Sequence, residues 1–401
     1  MATTATYRDA NPPYLFPAYD STVDRAPHEP LIEPPAEWFA HRPGPDCGRI
    51  PLPADGADLL GRRGGEPIGE RIVIQGRVLG SDRWPVPGAL VEMWQTNAAG
   101  IYEDPSDPGF FPHDPNFVGA GRCLTSPTGR FKFRTIKPGA YPQAAGQIYR
   151  PSHVHFSVFG PTLSSRLITQ CYFEGDPLIG RDPIAHAAGD SGLERLTARL
   201  NPEVTQSEGN RSALTYDYDI VLRGPGDLDT FQEWRGDITT PSQTIGPRYG
   251  YALMFEGSEL AVSPADAGAI EIHGSVLDGH GAPVAYPDAM LELWVAGQFA
   301  RARTDTRGQY RAVLRKPEAE WLPGGIPVAP YVNVTLFARG LLKQVQTRLY
   351  FPDEQRANAA DPVLSLVPAE RRPAVIARDD GTGLRFDIRL QGPGETPFFA
   401  F

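Results

Sequence analysis

Short stretches in which apolar and polar residues alternate dominate the chain and predict β-strands. RIVIQGRVL at 71–79 and LVEMWQ at 90–95 follow the two-residue period of a strand, and DRWPVPGA between them predicts a hairpin turn. One short helix is predicted for SGLERLTARL at 191–200. Further short strands are predicted at 129–136, 152–160, 166–173 and 215–224. The chain is therefore predicted to be all-β, with few short helices.

The second half of the chain repeats the first. IVIQGRVLGSDRWPVPGALVEMW at 72–94 recurs as IEIHGSVLDGHGAPVAYPDAMLELW at 270–294. RLITQCYFEGDP recurs as QVQTRLYFPDEQ, and YDIVLRGPG recurs as FDIRLQGPG. Such self-similarity indicates two copies of one β-unit, and the period is far too long for a solenoid. Two β-sandwich domains joined by residues 225–250 are the expected architecture.

The first 66 residues have a different character. They are rich in Pro and Gly, yet PPYLFPAY at 12–19 and EPPAEWF at 33–39 contain more large aromatic residues than a disordered tail usually carries. We therefore expect residues 1–66 to form an arm packed on another surface, followed by one sandwich at 67–236 and a second at 237–401.

Composition excludes several classes of protein. The 401 residues include 42 Gly and 42 Pro without a collagen period, and the net charge of −10 argues against nucleic-acid or membrane-surface binding. No apolar run reaches the length of roughly 18 residues expected of a transmembrane helix, and the N-terminus lacks the pattern of a signal peptide. Three distant cysteines, Cys47, Cys123 and Cys171, suit a reducing cytoplasm.

His153 and His155 form the one close pair among eight histidines. They stand two residues apart in the predicted strand SHVHFSVFG, so both side chains share a face and could bind one metal ion. Two half-buried histidines without a metal are the alternative. The second copy of the repeat aligns Tyr331 and Asn333 at these positions, so the fold itself does not require the histidines.

Tyr102, after the polar turn WQTNAAG, and Tyr141, in KPGAYP, are the other candidates for a metal site. A phenolate oxygen is a hard anionic donor that suits Fe(III) better than zinc or copper(I). Two tyrosines with two histidines would therefore make a ferric site. Packing tyrosines with satisfied hydroxyls are the alternative.

The motifs RTIKPGAYP, YRPSHVHFSVFG and LITQCYFEGDP closely resemble the catalytic core of the intradiol aromatic-ring dioxygenases. Within that family the resemblance is to members with two kinds of subunit that act on protocatechuate. Residues 7–226 resemble their iron-carrying β subunit, and residues 237–401, with TPSQTIGP and VNVTLFARGLLKQVQTRLYF, resemble their α subunit. The chain is therefore expected to be a fusion of the two, and the family's assemblies imply a homo-oligomer.

The resemblance implies an Fe(III) held by Tyr102, Tyr141, His153 and His155, with a catechol and O2 as reactants. One iron per chain is expected, because the second copy's turn VAGQFARART at 295–304 is shortened and has no counterpart to Tyr102. Tyr141 matches the tyrosine that leaves the iron when the catechol binds and takes up a substrate proton.

Two neighbouring residues take roles from the same resemblance. Arg150 matches an arginine that stabilises negative charge on the substrate. Gln170 matches a glutamine that donates a hydrogen bond near the oxygen site. Substrate contacts are implied for Thr244, Gly246, Pro247, Arg339 and Tyr19, with the Arg339 guanidinium facing a ring carboxylate.

Three departures from the family pattern affect the choice of substrate. Gln143 stands where the family commonly has tryptophan, and the loop 141–150 is one residue shorter than in the family. Glu103 and Asp104 stand where the family tends to have basic residues. Protocatechuate, opened to 3-carboxy-cis,cis-muconate, is the substrate that the resemblance implies first. Catechol, hydroxyquinol or another substituted catechol is the second hypothesis. A metal-free β-sandwich binding module is the third.

Overall fold

The chain forms two compact units. The computed structural model describes residues 11–39, 42–105, 107, 109, 111–143, 148–208, 211–223 and 239–400. Of these, residues 11–13 and 51–253 make up the first unit, and residues 14–50 and 254–400 make up the second.

These limits differ from the expected ones in two respects. The Pro-rich stretch 1–66 is divided, because residues 14–50 group with the second unit and residues 51–66 with the first. The expected boundary at 236/237 lies outside the described residues, and residues 239–253 group with the first unit. The reason is backbone pairing, since Gln243 N–H donates to the Ile168 carbonyl and Thr240 N–H to that of Val221.

Eleven strands and two short α-helices are described in the first unit. The strands are β1 (Arg71–Gly80), β2 (Leu90–Gln95), β3 (Ala120–Leu124), β4 (Arg130–Ile136), β5 (Tyr141–Gln143), β6 (Ile148–Arg150), β7 (His153–Phe159), β8 (Arg166–Phe173), β9 (Thr197–Glu208), β10 (Arg211–Asp217) and β11 (Ile220–Leu222). The helices are α1 (Gly189–Arg195) and α2 (Gly250–Leu253), and 3₁₀ turns span Leu163–Ser165, Ile179–Arg181 and Ala185–Ala188.

The strands of the first unit form the two layers of a sandwich. One layer runs β4–β1–β10–β9 and the other β3–β2–β7–β8, and β9 joins them by pairing with both β10 and β8. Ile74 and Phe133 from the first layer lie in one buried cluster with Met93 and Phe156 from the second. Burial of this apolar surface holds the layers together and fixes which face of each strand points inward.

Most strand predictions agree with the structure, with two differences. The predicted helix at 191–200 is wrong from Thr197 onward, because those residues belong to β9, which pairs with β8 at Thr197 and Ala198 and with β10 from Arg199. The predicted strand at 215–224 is interrupted at Tyr218, where the neighbouring strand β1 changes its parallel partner from β10 to β11.

A glycine allows this change of partner. At Gly76 an added Cβ would lie 1.9 Å from the Tyr218 carbonyl oxygen, so the strands can approach only without a side chain. Gly274 meets the Phe386 carbonyl oxygen in the same way at 2.0 Å in the second unit. The sequence repeat thus extends to a shared detail of strand packing.

The second unit repeats the architecture of the first. Its strands are β12 (Ala269–Leu277), β13 (Ala289–Val295), β14 (Gln298–Arg303), β15 (Gln309–Arg315), β16 (Glu320–Leu322), β17 (Ile326–Val328), β18 (Tyr331–Ala338), β19 (Val345–Tyr350), β20 (Arg378–Asp379), β21 (Leu384–Arg385) and β22 (Ile388–Arg389). Its helices are α3 (Gln355–Ala360) and α4 (Pro362–Ser365), with 3₁₀ turns at Thr22–Asp24, Ala36–Trp38 and Arg372–Val375.

Two sheets of the second unit enclose one apolar core. One sheet runs β15–β12–β21–β20, with β22 also paired to β12, and the other runs β14–β13–β18–β19. Residues from both sheets, such as Ile272 and Leu314 on one side and Leu293 and Val334 on the other, form a single buried cluster. The prediction of an all-β protein built from two sandwiches is confirmed.

No helix in the described part of the chain is both long enough and apolar enough to cross a membrane.

Replacing Gly76 by alanine tests the strand approach. We expect Gly76→Ala to lower the free energy of unfolding of the first unit by about 2–3 kcal/mol, because the methyl group must push two backbones apart. Gly61→Ala is the control, since nothing lies within 4 Å of an added Cβ there. Denaturant unfolding followed by circular dichroism measures both, and equal stability of the two variants would contradict the packing described.

Candidate functional site

Strand β7 presents both predicted histidines on one face. Val154 and Phe156 point into the core of the first unit, so the alternating side chains of His153 and His155 point to the opposite side. Both imidazoles are nevertheless buried, with 2% and 3% exposure. The strand therefore carries an apolar face toward the core and a buried polar face on its other side.

Neighbouring strands place aromatic and amide side chains beside the histidines. Trp94 of β2 and Gln170 of β8 lie opposite His155, and Tyr172 of β8 lies opposite His153. The Trp94 indole stacks on the His155 imidazole, with ring centroids 4.7 Å apart and an angle of 11° between the planes. This stacking holds the plane of the imidazole ring.

A tight turn after β2 delivers Tyr102. The Asn97 side-chain oxygen accepts hydrogen bonds from the backbone N–H groups of Ala99 and Ile101, at 2.9 and 3.1 Å. Asp107 then accepts a hydrogen bond from the backbone N–H of Tyr102 at 3.0 Å. An asparagine side chain that satisfies successive N–H groups shapes such a turn, so the polar sequence QTNAAG fixes where Tyr102 leaves the sheet.

Two glycines let the segment before Tyr141 approach this turn. Gly100 has a φ of +81°, and a Cβ there would lie 2.5 Å from the Ala140 carbonyl oxygen and 3.2 Å from the Tyr141 Cβ. A Cβ at Gly139 would lie 2.5 Å from the Ala98 carbonyl oxygen. Close contact between the two loops therefore depends on both glycines and brings the two tyrosines together.

The phenol oxygens and imidazole nitrogens converge. The Tyr102 hydroxyl lies 3.0 Å from His155 Nε2 and 3.4 Å from the Tyr141 hydroxyl, which in turn lies 3.3 Å from His153 Nε2. We call Tyr102, Tyr141, His153 and His155 the four-donor cluster. Residues 2 to 53 positions apart in sequence thus meet around one point.

The surroundings favour neutral histidines, and His153 presents a lone pair to the cluster. His153 Nδ1 lies 2.7 Å from the Pro151 carbonyl oxygen, which can only accept a hydrogen bond, so Nδ1 carries the proton and Nε2 is free to act as a donor to a metal. Burial lowers the pKa of both imidazoles well below the ordinary value, and the Arg150 guanidinium lowers it further.

The tyrosines are held as neutral phenols in the absence of a cation. Burial raises the pKa of Tyr102 well above its ordinary value, and the Tyr141 oxygen close by raises it further. Burial also raises the pKa of Tyr141, while the Arg150 guanidinium opposes this effect. A metal cation at the cluster would favour the phenolate forms, because its charge offsets the loss of hydration.

The donor set fits a hard, highly charged metal ion. Two neutral imidazoles and two potential phenolates give the cluster a charge of −2, which suits a trivalent ion. In the described part of the chain, no three His, Cys, Asp or Glu side chains lie together in a way that could hold a metal. A metal bound there would therefore need the two phenols as well as the two imidazoles.

A buried charged network adjoins the cluster. Arg150, 3% exposed, donates from Nε to Asp182 Oδ2 at 2.9 Å and from Nη2 to the Gln170 side-chain oxygen at 2.5 Å. The Tyr172 hydroxyl donates to the same Gln170 oxygen at 2.9 Å and lies 3.2 Å from Arg150 Nη2. Both predicted residues, Arg150 and Gln170, thus lie in one hydrogen-bonded group beside the four-donor cluster.

The segment TPSQTIGP runs along β8 in the first unit. The Thr169 hydroxyl donates to the Pro241 carbonyl at 2.7 Å, and the Gln170 side-chain nitrogen donates to the Thr244 carbonyl at 3.3 Å. Gly246 has a φ of +67°, and a Cβ there would come to 3.6 Å from His155 Cε1. Thr244 and Gly246 therefore border the cluster, and Pro247 follows them directly.

Arg339 and Tyr19 lie in the second unit. The Arg339 guanidinium pairs with Asp20 at 3.2 Å and with Asp288 at 3.7 Å, and the Tyr19 side chain is buried. Their predicted contacts with a substrate stay a prediction. The shortened loop 141–150 is described only at its ends, because residues 144–147 lie outside the described residues.

The structure adds three residues that the sequence analysis did not single out: Trp94, Tyr172 and Asp182. Trp94 and Tyr172 could have been found from the strand register, since both lie opposite a predicted histidine. Asp182 gives no such signal, because it lies 32 positions from Arg150 in an irregular segment.

Comparisons with known proteins agree with this geometry. A family model described as "Dioxygenase" matches residues 44–224, and one described as "Protocatechuate 3,4-dioxygenase beta subunit N terminal" matches residues 7–35. The first match includes the whole four-donor cluster together with Arg150, Gln170 and Asp182.

Relatives of both subunit types match this one chain. The protocatechuate 3,4-dioxygenase beta chain of Burkholderia cepacia is 46% identical over 218 residues, which cover 54% of this chain and 91% of the relative. The alpha chain from the same organism is 41% identical over 195 residues, covering 40% of this chain and 96% of the relative. Catechol 1,2-dioxygenase 1 of Acinetobacter lwoffii is 38% identical over 150 residues, covering 34% of this chain and 44% of the relative.

The fold and these matches define the class as intradiol ring-cleavage dioxygenases. Within that class, the chain belongs to the protocatechuate 3,4-dioxygenase family and joins a β-like and an α-like part in one polypeptide. The expected fusion is thereby confirmed.

Replacing Gly100 by alanine tests how the two tyrosine loops are held together. We expect Gly100→Ala to lose stability and to reduce metal binding, because the methyl group must displace the backbone that carries Tyr141. Gly88→Ala is a matched control, since Gly88 also has a positive φ of +67° but nothing lies within 4 Å of an added Cβ. Both variants bear backbone strain of about 1 kcal/mol. Equal metal contents, measured by elemental analysis, would contradict the assigned role of Gly100.

Proposed function

We propose that this protein opens the ring of protocatechuate with O2, between the two hydroxyl-bearing carbons, to give 3-carboxy-cis,cis-muconate. The convergence of two phenols and two neutral imidazoles beside a buried guanidinium is the observation that carries the proposal. The names of the relatives, which are chains of protocatechuate 3,4-dioxygenase, support this substrate.

We propose one Fe(III) per chain, held by Tyr102, Tyr141, His153 and His155. When bound, Fe(III) would supply a Lewis acid and a redox partner that make the catechol ring reactive toward O2. The donor chemistry supports this ion, because phenolate oxygen favours a hard trivalent cation over Zn²⁺ or Cu⁺.

Tyr141 is the proposed acceptor of a substrate proton. Its side chain is partly exposed, whereas Tyr102 is 4% exposed, so Tyr141 is the phenol with more room to move. A Tyr141 phenolate would be a base able to accept that proton, because burial raises the pKa of the phenol at this position. Tyr102 lies deeper and would remain in place.

Arg150 is proposed to stabilise negative charge on the bound substrate. Its guanidinium is fixed by hydrogen bonds to Asp182, Gln170 and Tyr172, so it would need no reorganisation during the reaction. Gln170, whose nitrogen faces the Thr244 carbonyl, would form part of the wall around the oxygen site, with Thr244, Gly246 and Pro247 next to it.

The second unit supports a stoichiometry of one iron. Tyr331 and Asn333 stand at the positions of His153 and His155, and Glu320 pairs with Val328 as Tyr141 pairs with Arg150. The Tyr331 hydroxyl donates to the Glu320 carboxylate at 3.3 Å, and no imidazole belongs to this set.

The carboxylate on the substrate ring is proposed to bind Arg339, and Tyr19 is the proposed neighbour in that contact. Arg339 lies between Asp20 and Asp288, so a carboxylate ligand would compete with these side chains for the guanidinium. A planar guanidinium suits a carboxylate because it can form two parallel hydrogen bonds.

Two further properties are proposed on narrower grounds. Cys47, Cys123 and Cys171 are not joined in disulfides, which supports a reducing, cytoplasmic location. The relatives are separate chains of one enzyme, which supports assembly of this chain into a homo-oligomer.

The visible spectrum tests the ferric site. We expect the iron-loaded protein to show the burgundy band of tyrosinate bound to Fe(III), and the band to shift when protocatechuate is added without O2. His153→Ala should lower bound iron about tenfold or more and remove the band while the protein stays folded. Asn333→Ala, at the second-unit position that matches His155, should keep both. A protein that stays colourless with iron, or His153→Ala with normal iron content, would contradict the proposal.

Kinetics with two substrates test the role of Arg339. We expect Arg339→Met to raise KM for protocatechuate about tenfold or more and to leave KM for catechol unchanged, because only protocatechuate offers a carboxylate. Arg311→Met is the control, since Arg311 is also a partly exposed arginine that pairs with an acid, Glu271, in the second unit. Equal effects on both substrates would exclude Arg339 from carboxylate binding.

A further inference from the structure

The carboxylate of Asp182 is fully buried and serves two different partners. Oδ1 accepts a hydrogen bond from the backbone N–H of Ile184 at 3.1 Å, which caps the turn that follows. Oδ2 accepts a hydrogen bond from Arg150 Nε at 2.9 Å. A single carboxylate thus shapes its own loop and also contacts a guanidinium on strand β6.

The second unit offers an internal comparison. Asp361 lies eleven residues after Tyr350, as Asp182 lies ten residues after the matching Tyr172, and a proline follows each aspartate. Its Oδ1 accepts a hydrogen bond from the backbone N–H of Leu364 at 2.6 Å, so this oxygen also caps a turn. Turn capping by one carboxylate oxygen is therefore common to both copies of the fold.

The other oxygen differs between the copies. Asp361 Oδ2 accepts a hydrogen bond from the backbone N–H of Ala329 at 2.8 Å. The preceding residue, Val328, holds the strand position of Arg150, because Glu320 pairs with Val328 as Tyr141 pairs with Arg150. The fold therefore needs no more than a main-chain N–H group as the partner of this carboxylate oxygen. In the first unit the same oxygen holds a guanidinium beside the four-donor cluster.

From this comparison we propose that Asp182 is a positioning residue for Arg150 in the ring-opening reaction; the inference rests on the proposed function. Through Arg150 it also orients Gln170. Arg150 and Tyr172 both direct a hydrogen-bond donor at the Gln170 oxygen, so the amide nitrogen must face the other way, toward Thr244. Without the carboxylate, the guanidinium would lose its charged anchor and could rotate away from its place next to the cluster.

The test replaces a carboxylate oxygen by an N–H donor in each unit. In Asp182→Asn the side-chain oxygen can still cap Ile184, but the amide nitrogen then faces the Nε–H of Arg150 and cannot accept its hydrogen bond. Asp361→Asn makes the same change against the N–H of Ala329. The two variants therefore share the loss of a buried acceptor and differ in whether a guanidinium is released.

We expect Asp182→Asn to lower kcat about tenfold or more with iron content retained, and Asp361→Asn to change kcat less than about twofold. Anaerobic titration with protocatechuate, followed by the visible band, should show weaker binding or a different shift in Asp182→Asn alone. Thermal unfolding of the metal-free proteins should show a loss of stability in both. Unchanged kcat and binding in Asp182→Asn, or equal effects in the two variants, would overturn the proposal.

A double variant guards against misfolding of Asp182→Asn, which leaves a buried positive charge unpaired. If Asp182 acts through Arg150, then Arg150→Met with Asp182→Asn should match Arg150→Met alone in kcat and in anaerobic binding. Independent, multiplying effects would overturn the proposal. If the proposed function is wrong, the unsubstituted, iron-loaded protein will not open the ring. That result is distinct from every outcome for the variants.

Discussion

The register of β2, β7 and β8 is the constraint on which the site depends. Val154 and Phe156 of β7 are committed to the core of the first unit, so His153 and His155 must lie on the opposite face. A shift of β7 by one residue would exchange the two faces, and the cost of exposing the apolar set prevents it. The same pairing sets Trp94 against one side of His155 and Gln170 against the other. The geometry of the four-donor cluster is therefore fixed largely by apolar packing that never touches it.

Besides apolar packing, the charges of buried side chains determine the properties of the four-donor cluster. The Arg150 guanidinium is buried within reach of two imidazoles, and its field helps to keep them neutral, which is the form that can bind a metal. The Asp182 carboxylate balances the positive charge of the Arg150 guanidinium, so this pair next to the cluster is close to neutral overall. A trivalent ion would then meet mainly the two tyrosines, which can each supply one negative charge. This balance would allow a buried site that contains a fixed cation to bind a metal cation as well.

Local patterns in the sequence predicted a large part of this arrangement. Two-residue alternation located β1, β2, β7 and β8, and the repeat predicted two sandwiches. The i, i+2 spacing of His153 and His155 pointed to a shared face.

Sequence patterns failed where long-range pairing decides the structure. Residues from Thr197 onward have a helical pattern but join β9, because β8 offers a free edge. Residues 239–253 resemble the start of the second half, yet they hydrogen-bond to the first unit, including its strands β8 and β11. Asp182 was missed for a similar reason, since nothing near it in sequence indicates that it pairs with the Arg150 guanidinium, 32 positions away.

The two units together separate what the fold needs from what the chemistry needs. Both keep a buried acid paired with an arginine on neighbouring strands, Glu92 with Arg122 in one and Glu292 with Arg301 in the other. Both also keep a buried tryptophan at the same position of the second strand, Trp94 and Trp294. The residues that differ lie at the cluster itself. At the position of Gln170 the second unit has Arg348, which is buried with its guanidinium 3.8 Å from the centre of the Tyr331 ring. The second unit thus already contains a cation where the first has a neutral amide, and it lacks the imidazoles that would bind a metal. A common β-scaffold can therefore carry two different sets of side chains, and the proposed metal site depends on a few of them on one face of two strands.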